Sequence, residues 1–214
     1  MPTTYLRMAL VVLAMTIAAA AKAEQKPGDA TNRIAALSAK LVAGLVKGGY
    51  VIYLRHTATD RKTGDFDRRN LKNCVMQRIL STRGRRQATN IGDGFRKLRI
   101  PVGKIVSSPY CRCMDTARLA FGRVTASRGL MFALNNDKTE TARLSKTLRG
   151  LMATSPAPGT NTVIVGHTWN LHDVTKIWAK PEGVAVIFRP RRDGTISYVA
   201  TVHPDAWIKT ALAN

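Results

Sequence analysis

Three apolar runs that each end in a polar cluster constrain this chain more than any other feature. They are residues 50–59 (YVIYLRHTAT), 105–117 (IVSSPYCRCMDTA) and 163–171 (VIVGHTWNL). Each opens as a short β-branched or aromatic stretch that reads as a buried strand, then gives way to a loop or helix start. Stretches of helical period lie around them. Ile34, Leu37, Leu41 and Leu45 recur at helical spacing before Gly48-Gly49. A second helix, capped by Ser81 or Thr82, carries Ala88, Ile91, Phe95 and Leu98 on its inward stripe and closes before Pro101. Residues 102–106 form a strand, and Pro109 suits the first turn of a helix running to about Phe121. Further helices are expected over 138–152, after the strand at 162–165, and around Trp207; residues 184–188 and 195–202 pair as strands about the turn at 190–194. Residues 57–80 are polar and non-periodic, a long surface loop of the kind that often carries function. Alternating strands and helices predict a three-layer α/β/α sandwich with a mostly parallel central sheet, formed by one domain over 33–214.

The first 23 residues read as an export signal rather than as fold. Arg7 supplies a positive n-region, residues 8–21 an apolar stretch, and Ala21-Lys22-Ala23 an A-x-A cleavage site. The stretch is short for a span and polar residues follow at once. No stable membrane insertion is therefore expected after cleavage, an uncleaved anchor being the alternative. Residues 24–32 form a polar leader, and the expected destination is periplasmic or secreted. In such an oxidising compartment three cysteines, Cys74, Cys111 and Cys113, imply one disulfide and one remaining thiol. Two positions apart on a helix, Cys111 and Cys113 point roughly 200° from each other, so one does not easily replace the other. Cys74–Cys111 is the favoured pairing, with Cys113 a small buried apolar residue; Cys74–Cys113 is the alternative. A C-x-C pair without a nearby histidine or second cysteine pair is not a zinc pattern.

Charge narrows the partners. The 34 Lys+Arg against 13 Asp+Glu give +21 formally. Removing residues 1–23 takes two basic residues and no acid, so +19 remains. Such an excess attracts anions. The basic residues are scattered, and no zinc-finger spacing, RNP-like aromatic pattern or basic heptad helix is present, which argues against nucleic acid. In open α/β sheets ligands bind beyond the carboxyl ends of strands, where helix N-termini present unpaired N–H groups. Arg55, His56, Arg112 and His167 fall at such ends and are expected to converge on one anion. His172 and His203 read as ordinary structural residues.

The same segments carry motifs in order. Arg55-His56-Thr57-Ala58-Thr59 matches R-H-G-x-T, with Thr57 in the glycine position, and residues 80–88 (LSTRGRRQA) match L-T-x-x-G-x-x-Q-A. Ser107-Ser108-Pro109 through Thr116-Ala117 matches S-S-P-x-x-R-x-x-x-T-A, and Val165-Gly166-His167 matches V-G-H. In these four motifs, collinear from about Gly49 onward, the chain resembles the histidine phosphatase superfamily, the phosphoglycerate mutase-like proteins; its signal peptide and Cys74/Cys111 placement are similar to those of the small exported members.

The resemblance implies a phosphatase acting on phosphate esters or phosphoamidates of an anionic phosphorylated substrate. His56 is its nucleophile and passes through a phosphohistidine. Arg55 and Arg112 hold the phosphoryl oxygens as charged forks, and His167 donates a hydrogen bond in the transition state. Neither a metal nor another cofactor is implied. Thr59 is a candidate phosphate contact, and Asp115 a candidate partner for Arg112. The family also uses a carboxylic acid to protonate the leaving oxygen. Asp137 is the first candidate and Glu140 the second, with Asp60 or Asp65 of the long loop as substitutes. If position 57 requires a positive φ, threonine there is strained. The alternative function is a phosphate- or polyanion-binding protein of the same fold without turnover. A mutase, which handles a cytoplasmic metabolite, fits an exported chain poorly.

Overall fold

The computed structural model describes residues 34–213 apart from 36, 63, 68, 69 and 134–136, so the expected signal segment and leader lie outside the described residues. Seven strands form one sheet: β1 (Ile34–Ala35), β2 (Val51–Arg55), β3 (Val102–Ser107), β4 (Thr125–Ala126), β5 (Asn161–Gly166), β6 (Ala185–Pro190) and β7 (Ile196–Val202). Their order is β1-β7-β6-β2-β5-β3-β4. Only β6 runs against the others, pairing antiparallel with β2 and β7. The helices are α1 (Ala39–Lys47), α2 (Thr82–Lys97), α3 (Cys111–Phe121), α4 (Lys138–Ala153), α5 (Thr168–Thr175) and α6 (Ala206–Ala213).

Strand alternation builds the three layers. On β2, Ile52 and Leu54 join the core that includes Leu45 of α1, Ile91 and Phe95 of α2, Cys113 and Ala117 of α3, and Trp207 of α6. Val51 and Tyr53 point to the opposite core, with Leu148 and Met152 of α4 and Leu171 of α5. Covered on both faces, β2 and β5 are buried along almost their whole length, as a central parallel strand must be. The inward stripe of α2 follows the expected period, with Ala88, Ile91, Phe95 and Leu98 all buried.

Three local expectations change. Ile34 belongs to β1, paired with Thr201 of β7, and the helix begins only at Ala39 after the Ser38 cap. Pro109 precedes the Tyr110 cap of α3 rather than sitting inside its first turn. The two-residue strand β4 escapes sequence reading because two residues carry no period.

The long 57–80 segment is tied down at its far end by the Cys74–Cys111 disulfide, whose Cα atoms are 5.7 Å apart. Gln77 reinforces this junction: its amide nitrogen donates to Leu71 O, and its oxygen accepts from Cys111 N at the start of α3. Cys113 is the remaining thiol. Burial pushes it up to about 12, so it stays protonated and inert in the core.

Candidate active site

Two adjacent parallel strands bring the histidines together. Arg55 at the end of β2 stands in register with Gly166 at the end of β5, so His56 and His167 leave the sheet side by side. Their ring centroids are 5.5 Å apart. Next along the sheet, β3 ends at Ser107 opposite Val165 and leads into the segment carrying Arg112. A cleft of about 370 Å³ opens over these ends, lined by Arg55, His56, Asp65, Arg78, Phe132 and His167, with Gly64, Thr168 and Trp169 at its edge.

The loop after β2 is clamped by the start of α2. Ser81 N and Oγ both donate to Ala58 O, and Ala58 N donates to Gln87 Oε1. Gly84 packs so closely on the Ala58 carbonyl that a β-carbon there would collide with backbone. The Ser81, Gly84 and Gln87 positions of the second motif thus all serve to fix the segment next to His56. Gly166 has a similar reason. The Tyr53 hydroxyl occupies the space its β-carbon would need and donates to His167 O at 2.8 Å.

Thr57 is not strained: among the described residues, those with positive φ outside glycine are Arg99 and Lys176. Its side chain is absorbed by Thr116. Thr57 N and Oγ1 both lie 3.1 Å from Thr116 Oγ1, which in turn donates to Arg112 O. Thr57 therefore ties the loop after β2 to α3.

Hydrogen bonds define the state of each imidazole. His56 Nδ1 lies 3.0 Å from Thr57 O. A carbonyl only accepts, so Nδ1 carries the proton and Nε2 keeps its lone pair in the neutral ring. Among the described residues Nε2 has no hydrogen-bond partner. His167 Nε2 lies 2.9 Å from Ser108 Oγ, while Nδ1 faces Arg112 Nη2 at 3.5 Å. Arginine only donates, which assigns the His167 proton to Nε2. Burial, then the Arg112 charge, holds both imidazoles well below the usual histidine value.

This has a consequence for stability. Below about pH 6.5 the unfolded chain takes up protons that the two folded imidazoles refuse, so stability falls as pH drops toward their folded values. The expected slope is roughly 1.4 kcal/mol per pH unit for each histidine. Urea unfolding between pH 7.5 and 5 should show it, and H56N/H167N should flatten it; an unchanged slope in that variant would contradict the buried neutral pair.

Arg112 is fully buried. The Tyr110 ring lies 4.6 Å and the Phe132 ring 5.5 Å from its guanidinium carbon. Its Nη1 donates to Asp65 Oδ1 at 2.8 Å. Arg55 donates to Ala179 O and, at 3.4 Å, to Glu182 Oε1. Arg78 is a third cation at the cleft that sequence reading missed. Burial holds Arg55 and Arg78 below the ordinary guanidinium value, and the Arg112 charge depresses Arg78 further. The Nε atoms of all three arginines are buried and have no hydrogen-bond partner among the described residues. Arg55 and Arg78 line the cleft with one carboxylate, Asp65, which the buried Arg112 already engages, and an anion relieves that excess of cations.

Several expected residues lie elsewhere. Asp137 caps α4 by accepting from Glu140 N, and Glu140 pairs with Arg143 on the helix surface; neither lines the cleft. The first-turn position that favours acids on any helix accounts for both. Asp65 is the carboxylate that reaches the site. Thr59 donates through N and Oγ1 to the two oxygens of Glu182, positioning that carboxylate beside Arg55 rather than facing the cleft. Asp115 pairs with Arg85 and Arg118, not with Arg112. His172 stacks on Trp178, and His203 Nδ1 accepts from Asp205 N.

Residues 51–131 match the family model of the histidine phosphatase superfamily (branch 1). Comparison with curated proteins finds no match. Among solved structures, the fold is similar to the alpha-ribazole phosphatase from Shigella flexneri (TM-score 0.54, 14% identity, covering 72% of this chain and 96% of that one). A mycobacterial glucosyl-3-phosphoglycerate phosphatase with inorganic phosphate is also similar (TM-score 0.52, 20% identity, 74% and 99%). So is the phosphoserine phosphatase from Entamoeba histolytica in complex with 3-phosphoglyceric acid (TM-score 0.51, 15% identity, 74% and 98%). The pattern of the histidine phosphatase superfamily thus runs through residues 51–131, on a fold that these solved phosphatases share.

Proposed function

We propose that this protein is an exported phosphatase that hydrolyses phosphate esters or phosphoamidates through a phosphohistidine on His56. The observation that carries the reading is the neutral His56 ring, with its Nδ1 proton anchored on Thr57 O and its Nε2, unpartnered among the described residues, at a cleft lined by Arg55 and Arg78.

In the first step Nε2 attacks phosphorus, the bond from phosphorus to the leaving oxygen or nitrogen breaks, and the leaving atom takes a proton from an acid. Arg55, Arg112 and Arg78 meet the charge on the equatorial oxygens. The Nε2–H of His167, bonded to Ser108 Oγ in this state, becomes the transition-state donor when a phosphoryl oxygen takes the place of that hydroxyl. Asp65 is the proton donor assigned here. A phosphoryl group entering the cleft competes with its carboxylate for Arg112. In the second step water attacks the phosphohistidine, gives its proton to Asp65, and frees His56. The Cys74–Cys111 disulfide supports an oxidising compartment, and among the described residues no helix is long and apolar enough to cross a membrane.

The test is to trap the intermediate. Incubation with p-nitrophenyl phosphate and an alkaline quench should leave a phosphoryl adduct on the peptide containing His56, stable to base and labile to acid. Phosphate binding without adduct or turnover would support the binding-only alternative instead.

A further inference from the structure

A second and larger basin of about 660 Å³ lies against the same arginine. Arg55 lines both the candidate active site and this basin, whose other polar walls are Arg61, Arg83, Gln87, Lys180, Glu182 and His203. Its charge is unbalanced. Glu182, its one carboxylate, is already engaged by Thr59 N, Thr59 Oγ1 and Arg55. Among the described residues no ion pair engages Arg61, Arg83 or Lys180. Arg83 also stands in the first turn of α2, which has no acidic residue, where a cation opposes the helix dipole. Among the described residues no acid in that turn offsets this placement; an anion in the basin would.

We infer that the basin receives a second anionic group of the substrate, so that the preferred substrates are small molecules carrying two or more phosphates. The inference rests on the proposed phosphatase reading, with the reacting phosphoryl group beside His56 and the second phosphate across Arg55 from it. Arg61, Arg83 and Lys180 supply its charge neutralisation, and Arg55 is shared between the two anions. A substrate with one phosphate fills only the catalytic cleft and gains nothing from these side chains.

The experiment compares inositol hexakisphosphate with p-nitrophenyl phosphate for the wild type, R61A/R83A, and R191A/R192A. The last variant removes equal charge at the β6–β7 turn, at the opposite end of the sheet. The expected result is that R61A/R83A loses about tenfold more kcat/KM on inositol hexakisphosphate than on p-nitrophenyl phosphate, while R191A/R192A shows no such difference. Equal losses on both substrates, or an equal loss in the charge-matched control, would overturn the basin. Calorimetric titration of H56A with inositol hexakisphosphate, with and without R61A/R83A, reads the basin without turnover. A tenfold weaker affinity there upholds it even if no variant hydrolyses anything, in which case the phosphatase reading fails alone. Normal turnover of p-nitrophenyl phosphate with unchanged affinity would sink the basin alone.

Discussion

His56→Ala is expected to lower turnover of p-nitrophenyl phosphate by about 10⁴-fold or more, because it removes the only atom assigned to bond with phosphorus. The remaining cations would still hold the anion, so inorganic phosphate should bind within about tenfold of the wild-type affinity. That split between turnover and binding identifies a nucleophile rather than a residue that merely shapes the cleft. The ring is 2% exposed, and its removal leaves a cavity beside Arg112. Urea unfolding of the variant therefore accompanies the kinetics, and the Cys74–Cys111 disulfide provides an independent check of native topology. Retention of more than a few per cent of wild-type turnover by a folded variant would exclude His56 as the attacking group.

The parts of this site legible in the sequence are those that sit at strand ends. Arg55-His56 and Gly166-His167 follow apolar runs short enough to be strands, and parallel pairing of β2 with β5 makes their juxtaposition a matter of register. Arg112 follows β3 by a few residues, and the same reasoning reaches it. The opposed directions of Cys111 and Cys113 on one helix separate the two without choosing between them, and the structure pairs Cys111, the favoured one, with Cys74.

What was not legible depends on the path of the 57–80 segment. Asp65 reaches the cleft by accepting from Arg78 N, 13 positions along the chain, and from Arg112, 47 positions along. Neither contact leaves a periodic trace. Asp137 and Glu140 looked suitable because of where they lie in the sequence, but a helix start attracts acids for reasons of its own. Tyr110 and Phe132 were equally invisible, since an aromatic pair bracketing a buried guanidinium has no spacing rule across 22 residues. The φ of Thr57 leaves no trace in the sequence, and the partner that accommodates its side chain, Thr116, lies 59 positions away.

The sharpest test of the loop's role is Asp65→Asn. As the proton donor, Asp65 matters in proportion to the basicity of the leaving oxygen. Alkyl phosphates, whose alkoxides need a proton, should lose about 10²–10⁴-fold in kcat/KM, which reports the first step. p-Nitrophenyl phosphate, whose phenolate departs without one, should change in kcat/KM by less than about tenfold. The same substitution removes the carboxylate that pairs with Arg112 in the unliganded cleft, so inorganic phosphate, no longer displacing a charged competitor, should inhibit several-fold more tightly. The two effects run in opposite directions, one on the rate for poor leaving groups and one on anion affinity. A residue that only braced the loop would weaken both, because loosening Arg112 costs phosphate binding as well as turnover. An equal loss on alkyl and nitrophenyl substrates, with weaker phosphate inhibition, would reduce Asp65 to that bracing role and return the proton donor to another group.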